Sequence, residues 1–444
     1  MERTVFKELA QWKDRASRMP LMVRGARQIG KTYIIEKFAE AYFSNTITIN
    51  FEHNPAFKQC FTDLDPNKIC QQISILTKQK IIPGQSLLFL DEIQECPSAI
   101  EAMRYFKEQL PELHVIGAGS LLEFAFLAKD FRMPVGRIEF LFLKPVSFLE
   151  FLAATDNHDL IKWMQDIKVD AQVPEAVHCK CIELLNIYMT IGAMPAVVDS
   201  YIKEQDMLRV KQLQHNLLNT YRNDFGKYAS VANQQHCERI FSKAPALIAK
   251  HFRYKDVDPD VQSRSLKIAL QLMFKAGILL PIYQSTAKSM PLAAQINEKK
   301  FKLLFLDVGL AASQLNMDLL LNNTTNPINK GQLTEQLVGQ ELLAYQPLYQ
   351  QPQLYFWMRD KASSSAEIDY LYPYNDHILP VEVKSGATGR LRSLKLFMQH
   401  NKPPLGIKTS TDGLSVKDGV LSCPIYLLSQ LERFVAELLA RGKI

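Results

Sequence analysis

Long apolar runs are missing from this 444-residue sequence. Its most apolar stretch, around Leu266 to Ile282, is interrupted by Lys267 and Lys275 and makes a poor membrane span. Met1-Glu2-Arg3-Thr4 leads into no apolar signal region. Cysteine is sparse as well. The seven cysteines are scattered and odd in number, which argues against a secreted disulfide scaffold. Cys179-Lys180-Cys181, beside His178, is half a metal site without a second pair, so a helix face is the better account. Nor is there an excess of one charge. The net charge of +6 permits a nucleic-acid partner if the basic residues cluster, but does not require one. A cytoplasmic protein with no membrane partner is the expectation.

What is present fits a chain with sizeable cores. Hydrophobic residues make up 47% and charged residues 22%. The length suits two to four domains of roughly 150 residues each. Gly25-Ala26-Arg27-Gln28-Ile29-Gly30-Lys31-Thr32 fits G-x-x-x-x-G-K-[ST], a phosphate-binding loop. Its glycines let successive N–H groups turn toward one anion. Lys31 can reach the β- and γ-phosphates of ATP, and the Thr32 hydroxyl can ligate Mg2+. Leu21-Met22-Val23 before it reads as a buried strand, and Ile34, Ile35, Phe38 and Tyr42 after it recur at helical spacing. Strand, loop, helix is the order such a site needs, because the helix N-terminus adds its partial positive charge.

The second half of the site is expected at Ser86-Leu87-Leu88-Phe89-Leu90-Asp91-Glu92. A buried strand there ends in acids. Asp91 would hold magnesium and Glu92 would polarise the attacking water as a hydrolytic base. Paired acids favour hydrolysis over kinase transfer, for which no acceptor pocket is recognisable. Thr46 to Phe51 and Leu113 to Gly117 read as further strands. The second of these ends near Ser120, which is either a γ-phosphate sensor or a cap of the following helix. Gly136 to Leu143 gives a fifth strand, and Arg137 at its start is a candidate arginine finger or sensor. A first helix carries Val5, Phe6, Leu9 and Trp12 on its packed side.

GARQIGKT, FLDEIQ, GAGS and GRIEFLFLKPVSFLEF together resemble the bacterial and archaeal AAA-type ATPases of the additional-strand, catalytic-glutamate class. The resemblance implies an α/β core with a parallel sheet and an inserted strand between the loop strand and the acid strand. It also implies Glu92 as base, Arg137 as a sensor or trans-acting arginine, and a partner subunit or domain motion that completes the site. Residues 1–155 would be this core.

Residues 156–225 read as amphipathic helices with a break at Gly192-Ala193-Met194-Pro195. Residues 226–315 offer a helix from Ser263 and then strands at 278–283 and 299–306, a pattern similar to a winged helix. Arg253, Lys255, Arg264, Lys267, Lys288, Lys299, Lys300 and Lys302 would be its DNA-facing surface, or else the solvated rim of an interaction module. In residues 316–444, strands at 367–371 and 378–384 form a hairpin turning near Asn375–Asp376. Asp369 then falls opposite Glu382, while Glu382 and Lys384 share a face. Asp369 and Glu382 would bind Mg2+, Lys384 would orient water, and Glu335 on an upstream helix would add a carboxylate.

This arrangement resembles the PD-(D/E)xK nuclease-like fold, with Ile368 standing where the motif has proline. The order of ATPase core, helical segment, winged helix and nuclease-like domain looks like a large family of prokaryotic ATPases. Two outputs are open at this point. One is an ATPase coupled to a module that binds and cuts DNA. The other is an ATP-dependent switch for a protein partner or a homo-oligomer, with an inactive nuclease-like domain.

Overall fold

The structure is a computed structural model, and it describes residues 3–126, 131–317, 327–359, 366–385 and 391–442. Its first sheet is built from β1 (Leu21–Arg24), β2 (Asn45–Asn50), β3 (Ser86–Asp91), β4 (His114–Gly119) and β5 (Glu139–Phe142). The order is β2-β3-β4-β1-β5, and every pairing is parallel. β4 lies between the loop strand and the acid strand, as expected. A parallel sheet carries helices on both faces, so its strands are apolar throughout. All six residues of β3 are buried. Successive side chains alternate between two cores: Leu87 and Phe89 enter one, Leu88 and Leu90 the other. The helix Val5–Asp14 buries Val5, Leu9 and Trp12 and packs against the helix Lys31–Tyr42.

Helices fill residues 148 to 247, among them Glu175–Ile191, Pro195–Glu204 and Met207–Tyr228. Cys179 is exposed and Cys181 buried on the first of these, so the pair does not converge, and all seven cysteines are free. After the helix Ser263–Lys275 come β6 (Leu279–Ser285) and β7 (Ile296–Phe305), an antiparallel hairpin. The hairpin does not stand alone. β6 also pairs in parallel with β8 (Leu354–Met358), which pairs with β9 (Glu367–Ile368), giving the order β7-β6-β8-β9. The break expected near 315 is thus crossed by a sheet.

The last sheet contains β10 (Tyr370–Tyr374), β11 (His377–Val383), β12 (Gly406–Ser410), β13 (Ser415–Lys417) and β14 (Val420–Pro424), in the order β10-β11-β12-β14-β13. β10 and β11 are antiparallel with Tyr370 opposite Val381, and Asn375 turns the chain at φ 50°. Continued by one residue, that register sets Asp369 against Glu382, the expected pairing. One of the cores flanking the first sheet runs from Val5 to Leu438, so the first and last helices share one interior. Among the described residues, no helix is long and apolar enough to cross a membrane.

Candidate functional site

The loop between β1 and the helix Lys31–Tyr42 takes the conformation its glycines allow. Gly25 has φ 149°, and a Cβ there would stand 2.4 Å from Ile29 Cδ1 and 2.5 Å from the Leu143 carbonyl oxygen. Lys31 is buried and donates from Nζ to the carbonyl oxygens of Gly25 (3.1 Å) and Ala26 (2.8 Å). Burial pulls its pKa down to about 8, against the opposing charges of Glu92 and Asp91.

Thr32 and Asp91 are brought together. The Thr32 hydroxyl donates to Asp91 Oδ2 at 3.0 Å, and Asn50 Nδ2 donates to the same oxygen at 3.0 Å. The reason is register. Parallel pairing sets Asn50 beside Asp91 at the ends of β2 and β3, the edge to which the loop after β1 is also attached. A hydroxyl and a buried carboxylate at one helix N-terminus are hard oxygen donors of the kind Mg2+ takes, so Thr32 and Asp91 fit that ion. Glu92 follows in the left-handed region at φ 48°, which turns its side chain off the strand line. Its Oε2 accepts from Gln94 Nε2 at 2.6 Å.

Ser120 is buried directly after Gly119, the residue paired with Arg24, so it stands beside the start of the loop. A cavity of about 410 Å3 there is lined by Arg24, Gly25, Ser120, Glu123, Gly277 and Leu343 among others. Arg137 is not brought to the site. It precedes β5, whose first residue pairs with Leu21, so it sits at the end of the sheet opposite the loop. There it is half exposed and bonded to Glu108 at 3.0 Å. A sensor role within its own chain is therefore corrected: four strand residues separate it from the loop, roughly 13 Å of chain.

Residues without a motif complete the surroundings. Arg27 pairs with Asp224 at 2.7 Å and with Glu52 at 3.6 Å. Tyr221 donates its hydroxyl to the Arg27 carbonyl oxygen at 2.7 Å, and Lys227 holds Glu52 at 2.7 Å. The helix Met207–Tyr228 is thereby tied to the loop. Asn50 had a sequence signal, a polar residue closing an alternating strand. Tyr221 and Asp224 had none, because nothing local reports a contact almost 200 residues away.

The C-terminal residues converge in part. Val383 N–H donates to Asp369 Oδ2 at 2.8 Å, and Lys384 Nζ lies 2.5 Å from Glu382 Oε1. Glu335 is drawn elsewhere, to Lys302 Nζ at 2.9 Å. Lys302, expected on a DNA-facing surface, is fully buried and also pairs with Glu367 and, at 3.6 Å, with Asp369. Burial alone would drive its ammonium towards neutrality, but Glu335, Asp369 and Glu367 outweigh that and keep it charged. The expected ion set of Asp369, Glu382 and Glu335 is therefore divided by an internal cation. Asp369 and Glu382 remain oxygen donors side by side. Among the described residues, no group of three or more His, Cys, Asp or Glu is spaced to hold a metal.

Residues 17–152 match the model of a AAA domain. Residues 182–320 match a Domain of unknown function (DUF8612), and residues 330–428 match another Domain of unknown function (DUF4143). No curated protein matches the sequence. Among solved structures, a Walker-type ATPase of Pyrococcus abyssi is similar at 15% identity and a TM-score of 0.45, covering 71% of this chain and 95% of that one. The ORC2 protein of Aeropyrum pernix follows at 12% and 0.36, covering 71% and 93%. The RuvB Holliday junction branch migration motor of Thermotoga maritima stands at 14% and 0.31, covering 72% and 95%. Over residues 17–152 this chain is thus similar to a AAA domain.

Proposed function

We propose that this chain binds and hydrolyses ATP, and that the nucleotide state is passed from the loop to the helix Met207–Tyr228, the β6–β7 hairpin and the C-terminal block. The observation that carries this is the convergence of Thr32 and Asp91 at 3.0 Å at the edge where the Gly25–Thr32 loop meets its helix.

In this reading the loop N–H groups and the helix N-terminus hold the phosphates, and Lys31 turns from its carbonyl partners to the β- and γ-phosphates. Thr32 and Asp91 would hold Mg2+, which would offset phosphate charge. Glu92, released from Gln94, takes a proton from water as the water oxygen bonds to the γ-phosphorus and the bond to the β-phosphate oxygen breaks. Ser120, buried beside the start of the loop, would sense the γ-phosphate. Arg137 enters only as a residue offered to a neighbouring copy. Two contacts support transmission. Arg27 would exchange its carboxylate partners for phosphate charge, and Gly277, just before β6, lies so close to the loop that a Cβ on it would stand 3.4 Å from Ala26 Cβ.

A DNA-directed output rests on Arg264, Lys267, Lys288 and Lys299, all exposed on the helix Ser263–Lys275 and the hairpin. One assay tests both parts. Phosphate release and ATP binding are measured for wild type, Lys31→Ala and Glu92→Gln, with and without duplex DNA across a salt series. Lys31→Ala should lose ATP binding. Glu92→Gln should keep binding and lose roughly 100-fold or more in turnover. Wild-type turnover in Glu92→Gln would remove Glu92 as the base. DNA affinity that ignores salt, or is absent, would leave the protein-switch output.

A further inference from the structure

Charge that builds on a transferring phosphoryl group is commonly met by an arginine. Arg137 stands at the wrong end of its own sheet for that task. The loop carries an arginine of its own. Arg27 lies four residues before Lys31, inside the stretch whose N–H groups would wrap the phosphates. Gln28, at φ 63°, turns the backbone directly after it, and the Tyr221 hydroxyl fixes its carbonyl oxygen at 2.7 Å.

Two carboxylates hold its guanidinium. Nη1 donates to Asp224 Oδ1 at 2.7 Å, and Nη2 lies 3.6 Å from Glu52 Oε2. Glu52 belongs to the acid edge of the sheet. Its N–H donates to Asn50 Oδ1 at 3.0 Å, and Asn50 Nδ2 donates to Asp91 Oδ2 at 3.0 Å. Burial works against charge on Arg27, but Asp224, then Glu92 and Glu52, more than restore it, so the arginine and the proposed base act on one space. The longer of the two contacts is loose. A γ-phosphate carries more charge than either carboxylate and offers the planar guanidinium two oxygens at once, so it is the stronger partner.

We propose that Arg27 is a catalytic residue of ATP hydrolysis at this loop: its guanidinium leaves Asp224 for the γ-phosphate oxygens and offsets the charge that builds there, so that each chain supplies the arginine itself rather than taking one from a neighbouring copy. As the water oxygen bonds to the γ-phosphorus, its proton passes to Glu92 and the bond to the β-phosphate oxygen breaks. Arg27 gives up no proton and forms no covalent bond. Asp224, on the helix Met207–Tyr228, loses its partner in the same step, so catalysis and the release of that helix are one event. The role of Arg27 rests on the ATPase reading and is separable from it by experiment.

The test is phosphate release by the full-length chain at saturating Mg-ATP, with ATP affinity measured in parallel. Arg27→Ala should lower kcat roughly 100-fold or more while weakening ATP affinity by less than about tenfold. Asp224→Asn cuts the tie to the helix and keeps the arginine, so it should not reproduce the loss. Should Arg27→Ala fail to fold, Arg27→Lys, which keeps the charge but not the planar fork, is measured instead and should still lose roughly tenfold or more. Mixing Arg27→Ala with Glu92→Gln should restore no turnover, because neither chain lends its intact residue to the other. Parent-like kcat in the Arg27 variant beside an inactive Glu92→Gln, an equal loss in Asp224→Asn, or recovery on mixing would overturn the role of Arg27 and leave the ATPase reading standing. A parent chain that releases no phosphate would overturn both.

Discussion

His114, the first residue of β4, shows how far a side chain's chemistry is set by what covers it. It is buried, edge-on to Trp12 at 5.8 Å and to Phe43 at 4.9 Å. Burial, with the nearby Arg18 charge, pulls its pKa down to about 4. The folded chain therefore refuses a proton that the unfolded chain accepts below about pH 6.5. Stability is fully present above that value and is lost as pH falls towards 4, by up to about 1.4 kcal/mol per pH unit. His114→Phe should lose less of its urea midpoint than wild type between pH 7 and 4.5, and equal losses would contradict this. The same dependence on covering decides what the sequence can disclose. Gly25, Gly30 and Lys31 were legible because the loop's backbone needs are local. Lys302 was not, although one lysine among Phe301, Leu303 and Leu304 is a recognisable anomaly once burial is suspected.

At the scale of elements, apolar runs and, for β2, alternation disclosed the five strands of the first sheet, and the turn at Asn375 disclosed the β10–β11 register, since one turn fixes every pair beyond it. Arg137, read as a finger or sensor, lies at the far end of the sheet from the loop, because a strand has two ends and a motif does not say which end faces the site. The β6–β8 pairing was invisible because a parallel partner some 70 residues away leaves no local trace. Gly277 joins the helix Ser263–Lys275 to β6 at φ 70°, with the Cβ of Ala26 3.4 Å from where its own Cβ would be. Gly277→Val should cost about 1–3 kcal/mol by backbone strain and press on the loop. Thermal melts should show the first effect and ATP titration a weaker affinity. Normal affinity in a folded variant would sever the hairpin from the loop.

Across the whole molecule, the N-terminal core is held by the chain's later half. Glu341 accepts the Phe148 N–H at 3.1 Å and the Tyr188 hydroxyl at 2.8 Å. Lys144 Nζ donates to the Gln346 carbonyl oxygen at 2.6 Å, and the Phe142 N–H, at the end of the edge strand β5, donates to that of Leu348 at 2.7 Å. With the continuous core, these contacts make the C-terminal block a part of the ATPase-like body rather than an appended module. The proposed transmission from the loop would then run through the packing and can be observed without knowing the target. The measurement is hydrogen exchange across the full chain of Glu92→Gln, with and without Mg-ATP. The account predicts slowed exchange at residues 25–32 together with altered exchange at 221–228 and along β6 and β7. Unchanged exchange at 25–32, or an effect confined to it, would contradict the claim that this loop binds ATP and drives the rest of the chain.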